Sequence, residues 1–143
     1  MKNMKRYINI LAALLILLWV YTAGSKLAEL SEFRRQVFTN PIFAPWMRQW
    51  ILFLVPGSEL LAALLLLIPR TRKAGFILSL VLMIAFTVYI GLILAGVFEK
   101  LPCSCGGVLK AMRWNSHFIF NLFFTAVAGA GLILTIKERR LEK

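Results

Sequence analysis

Four apolar runs, at about residues 7–27, 50–68, 75–98 and 115–136, constrain this chain more than any other feature. A helix rises about 1.5 Å per residue, so about 20 apolar residues cross the ~30 Å hydrocarbon core of a bilayer. Inside lipid every backbone N–H and C=O must find a partner within the protein, which leaves helices and closed barrels as spanning structures. Runs of this length read as helices. The third run holds no charged residue, and 60% of the whole chain is apolar, where soluble domains sit near about 45–50%. The expected fold is all-α: an integral-membrane four-helix bundle, one domain over residues 1–143, with no separate soluble domain.

The formal charge of +11 has to be read by position before it is read as a partner. Ten of the 17 Lys and Arg fall in three short segments: Lys2, Lys5 and Arg6; Arg70, Arg72 and Lys73; Lys137, Arg139, Arg140 and Lys143. These flank spans at headgroup level, so the partner they imply is the lipid bilayer and not nucleic acid. By the positive-inside rule these segments are cytoplasmic. Both termini are then inside, and the connector after the third run faces the exterior or periplasm of a bacterial inner membrane. Basic residues ahead of an apolar run also describe a signal peptide, with Thr22-Ala23-Gly24 as a cleavage region. The run is longer than a usual signal core and carries Trp19 and Tyr21 near its far end, as an interfacial aromatic belt would. It is read as a retained span.

Between the first two runs, Leu30, Phe33, Val37 and Phe38 recur at helical spacing within a polar stretch, the pattern of an amphipathic helix on the membrane surface. Asn40-Pro41 and Ala44-Pro45 end it. Pro56-Gly57 falls early in the second run, where a kink is expected.

The connector after the third run holds Pro102-Cys103-Ser104-Cys105-Gly106-Gly107, with both cysteines of the chain. A chain this apolar can bury Cys as a small hydrophobe, yet it places both in a polar, Gly-rich turn, which points to reactivity. A disulfide between residues two apart requires Ser104 to turn and is constrained, hence readily reduced. Closing so short a loop restricts the unfolded chain little, so stability is a poor reason for it. Lys100, Lys110 and Arg113 flank the pair and favour the thiolate. The other readings are a Cu(I) site on Cys103 and Cys105, with Met112 or His117 as further ligands, and a structural disulfide.

His117 stands at the start of the fourth run, with Asn121 one turn later on the same face. An imidazole there can carry protons during thiol exchange, or it is simply an interfacial His with a satisfied hydrogen bond. Trp114 reads as a belt residue. Glu59 lies well inside the second run and Lys26 near the outer end of the first. Ionisable groups at membrane depth need partners, and the two pair if these spans pack together. Gly24-Ser25 and Ala62-Ala63 are small enough to allow that approach.

The chain resembles the MauE/DoxX-like membrane proteins, in particular the short redox-associated members related to the methylamine-utilisation protein MauE. The resemblance runs through Ala23-Gly24-Ser25-Lys26-Leu27, Phe33-Arg34-Arg35-Gln36 with Pro41, and Pro56-Gly57-Ser58-Glu59. It continues through Leu67-Ile68-Pro69-Arg70 with Gly75, the Cys103–Gly107 turn, and Trp114 with His117 and Asn121. It implies a four-helix membrane bundle linked to thiol chemistry beside a thioredoxin-like periplasmic partner or the thiols of client proteins. Nothing in the residues speaks for methylamine as a substrate. Quinone-coupled disulfide-forming bundles, the DsbB-like and vitamin K epoxide reductase-like proteins, are similar in helix number but use two cysteine pairs. A quinone remains a candidate cofactor; it would need a pocket at membrane level, for which Tyr89, His117 and Asn121 are candidate walls. The expected function is thiol–disulfide redox support for exported proteins, with Cys103, Cys105 and His117 carrying the chemistry and Lys26, Glu59 and Asn121 as intramembrane polar groups. A Cu(I)-handling protein and a non-catalytic membrane scaffold are the alternatives.

Overall fold

The computed structural model describes residues 2–40, 42–96 and 113–143. Cys103 and Cys105, with Lys100, Lys110, Met112 and Pro41, lie outside the described residues, as does the side chain of Trp114. The described chain forms five helices: α1 (Lys2–Ala28), α2 (Leu30–Thr39), α3 (Pro45–Leu67), α4 (Arg72–Leu94) and α5 (Trp114–Leu141). All but α2 are long and apolar enough to cross a membrane. The protein is a multi-pass membrane protein.

Local chemistry explains the helix bounds. α3 begins at Pro45, ahead of Trp50 where the apolar run starts, because a proline in the first helical position loses no hydrogen bond and has a suitable φ. The helix then continues through the buried Pro56. α4 ends at Leu94 because Gly96 takes φ +73, the left-handed conformation that closes helix C-termini. α5 runs past Ile136 to Leu141, since charged helix formers extend it beyond the apolar segment.

The four long helices form a ring in which α1 packs on α3, α3 on α4, α4 on α5 and α5 on α1. Both termini lie at one end. There Lys5 Nζ sits 3.0 Å from Glu142 Oε1, Arg72 Nη1 donates to Asn9 Oδ1, and Arg139 Nη2 donates to the Arg70 carbonyl. At the other end a single residue, Glu29, separates α1 from α2, and α2 lays Phe33 and Val37 against α3, leaving Leu30 and Phe38 exposed. Asn40 Nδ2 then donates to Tyr89 Oη across to α4.

The core joins Leu15 and Trp19 of α1, Ala62 and Leu66 of α3, Phe76 and Met83 of α4, and Ala128 of α5. Outside it, large apolar residues such as Phe53 (75% exposed) and Leu17 (68%) face outward, which suits lipid and would be costly in water. Small residues set the close contacts, though not all of those expected. Ala62 and Ala63 are buried, whereas Gly24 is exposed and a Cβ there would meet nothing within 4 Å. The tight approaches are elsewhere. A Cβ on Gly75 would come within 2.7 Å of the Leu66 backbone nitrogen, and one on Gly131 would overlap the ring of Phe76.

This contrast is testable. Gly131→Ala is expected to destabilise the bundle by about 1–3 kcal/mol, the usual cost of overpacking. Gly129→Ala, where added bulk meets nothing, serves as the control. Thermal unfolding in detergent should show a lowered midpoint for the first variant only.

A buried polar cluster as the candidate functional site

α1 carries Trp19, Thr22 and Lys26 at helical spacing, so the three lie on one stripe. That stripe faces inward: Trp19 is 1% exposed, Thr22 5% and Lys26 3%. From α3, Glu59 enters the same region with no exposed surface. Lys26 Nζ donates to Glu59 Oε1 at 2.6 Å and lies 5.8 Å from the centroid of the Phe86 ring of α4, within the range of a cation–π contact. Trp19 Nε1 donates to Ser79 Oγ of α4 at 2.9 Å, tying the indole to a third helix. α5 supplies His117 and Asn121, both buried.

All of these except Ser79 line one small cavity of about 20 Å³. That is room for about one water and no more. Among the described residues, Glu59 Oε2 accepts no hydrogen bond and Asn121 Nδ2 donates none. An acceptor and a donor on the walls of a water-sized cavity are the pair that a single water can bridge.

Of the residues singled out in the sequence, the structure thus brings together Lys26, Glu59, His117 and Asn121. Cys103 and Cys105 lie outside the described residues. Tyr89 is not part of the cluster. It lines a separate apolar cleft of about 280 Å³ with Phe33, Val37, Phe43 and Phe86, its ring stacked on Phe43 at an interplanar angle of 7°. Phe86 borders both spaces and divides them. Among the described residues Tyr89 therefore lines a different space from His117 and Asn121. Among the described residues no group of three His, Cys, Asp or Glu side chains could hold a metal ion.

Sequence reasoning missed Trp19, Thr22, Ser79 and Phe86 as parts of this cluster. Trp19 reads as an interfacial belt residue, yet the structure buries it. The signal was present in the i, i+3, i+7 spacing of Trp19, Thr22 and Lys26, which commits the indole to whichever face the lysine takes.

The family model described as methylamine utilisation protein MauE matches residues 4–134, most of the chain. The chain belongs to the MauE family. The matched segment contains the residues of the polar cluster and both cysteines alike. No curated protein and no solved structure gives a significant match. In this MauE-family protein the cluster takes side chains from all four spanning helices, and the covalent neighbour of its α5 portion is the connector that bears the cysteines.

Removing one member of a buried ion pair strands the other, at a typical cost of about 3–5 kcal/mol. Lys26→Ala and Glu59→Ala should each destabilise the bundle by about that amount, and the double variant should cost clearly less than the two together. A double-mutant cycle on unfolding in detergent measures the coupling.

Proposed function

We propose that this MauE-family protein is a membrane-embedded thiol–disulfide redox protein. It presents Cys103 and Cys105 on the periplasmic or exterior face of the bacterial inner membrane and supports disulfide formation in exported proteins. The observation that carries the reading is that both cysteines fall in the sequence between α4 and α5, two helices whose facing ends lie remote from both termini. His117, twelve residues after Cys105, opens the first turn of α5 and enters the buried polar cluster. The positive segments gather at the end with the termini, which supports an inward orientation for that end. The opposite face is where disulfides persist.

The exchange balances as follows. A client thiolate attacks the Cys103–Cys105 disulfide, forming a mixed disulfide and releasing one cysteine as thiolate. The client's second thiolate then attacks the client's first sulfur, forming the client disulfide and expelling the bound cysteine of the pair as thiolate, so two electrons pass from client to pair. The client leaves as a disulfide, and its two protons end on Cys103 and Cys105. A thioredoxin-like partner in its disulfide form takes the two electrons back by the same steps in reverse. His117, the imidazole that follows the cysteines in the chain, is the group proposed to hold or release the proton. Lys26, Glu59 and Asn121 line the same small cavity as His117.

Three expectations test this. In intact cells a membrane-impermeant maleimide should label the cysteines only after mild reduction. Labelling without reductant would contradict a resting disulfide, and none under either condition would contradict an outward loop. Cys103→Ser or Cys105→Ser should abolish disulfide maturation of clients at unchanged protein level, and unchanged maturation would sink the proposal. His117→Gln should slow exchange about 100-fold, a modest general acid–base contribution, in stopped-flow reaction of the purified protein with a reduced dithiol peptide.

A further inference from the structure

The largest cavity among those described lies away from the polar cluster, at the end of the bundle where both termini meet. It measures about 350 Å³, within the range of small-molecule sites. Its walls carry four basic side chains, Lys5, Arg70, Arg72 and Arg139, and two acidic ones, Glu138 and Glu142. The acids are engaged by Lys5, whose Nζ lies 3.0 Å from Glu142 and 3.9 Å from Glu138. Three guanidinium groups then face one residual carboxylate charge, and the cleft is positive.

Two of these guanidiniums are held in place by the protein itself. Arg72 Nε donates to the Leu66 carbonyl and its Nη1 to Asn9 Oδ1, while Arg139 Nη2 donates to the Arg70 carbonyl. Each has further N–H groups to offer. Fixed, forked donors of this kind match the oxygens of a phosphate. Depth decides what carries that phosphate. Leu67 and Ile68 directly precede Pro69 on the cleft wall, Ile133 stands two residues before Thr135 on the opposite wall, and all three are exposed. The rim therefore passes straight into apolar helix surface, where acyl chains lie. Basic pockets between spanning helices at headgroup level are lipid sites by the same physics.

We propose that this cleft binds the phosphate of an anionic membrane-lipid headgroup and thereby clamps the N-terminal end of α1, the α3–α4 turn and the C-terminal end of α5 together. The site is independent of the thiol chemistry proposed above.

Native mass spectrometry of the purified protein, titrated with dioleoylphosphatidylglycerol or dioleoylphosphatidylcholine, tests it. Phosphatidylglycerol should bind about tenfold or more tightly, as two engaged arginines would give. Arg70→Gln with Arg139→Gln should remove the preference, while Lys73→Gln, a basic residue at the same end outside the cleft, should keep it. If the double variant does not fold, Arg70→Gln alone should still reduce the preference, since its side chain makes no hydrogen bond to a described residue. Equal binding of the two lipids, or a preference that survives these variants, overturns the proposal. Displacement of phosphatidylglycerol by millimolar inorganic phosphate would overturn the lipid assignment and make the cleft a free-phosphate site.

Discussion

Taking a lysine and a glutamate out of water costs several kcal/mol per ion, and within a bundle the alternative of solvation is gone. Lys26 and Glu59 meet that cost by direct contact, with Nζ 2.6 Å from Oε1 and both side chains buried. The pair fixes the register of α1 against α3, because a shift of one residue would turn either group toward lipid. Phe86 beneath the ammonium and the Trp19–Ser79 hydrogen bond extend the same constraint to α4, and Asn121 of α5 lines the same cavity. Lipid tails are as apolar as leucine and supply no hydrophobic drive between helices. What remains to specify this ring is polar contact and close packing at small residues, and both are found here.

The two ends of the bundle do different work. At the terminal end, guanidiniums capture backbone carbonyls and close a positive cleft around the α3–α4 turn. At the other end α2 folds back onto α3 and the Asn40–Tyr89 hydrogen bond anchors the entry to α3. Between them lies a polar cluster next to the start of α5, the helix that follows the cysteine turn in the chain. The buried ion pair gives this cluster a fixed base, and His117 adds an imidazole to it.

Particular residues show how far pattern reading reaches. Glu59 stood out because a carboxylate inside an apolar run demands a partner, and Lys26 was the lysine within reach of an adjacent span. Trp19 was misplaced because a Trp near the end of a span has two favourable environments, the interface and the core, and one-dimensional position does not separate them. Gly24 was misassigned for a related reason: small size permits close approach without requiring it. Tyr89 shared an apparent depth with His117 and Asn121 but lies on the far side of Phe86, a separation that depends on helix rotation.

The amino-acid sequence alone determined that this chain spans a membrane with four helices, because unpaired backbone in lipid leaves only helices and closed barrels and the length of the apolar runs selects helices. It also singled out the ionisable groups that had to be paired. Only the tertiary structure decided which helices are neighbours, which way each faces, and hence that Trp19, Ser79, Phe86, His117 and Asn121 gather around Lys26 and Glu59 while Tyr89 does not. The reason is physical. Hydropathy reports how deep a residue sits, but in a helix that is apolar on every side it carries almost no record of rotation, which is set by the contacts themselves.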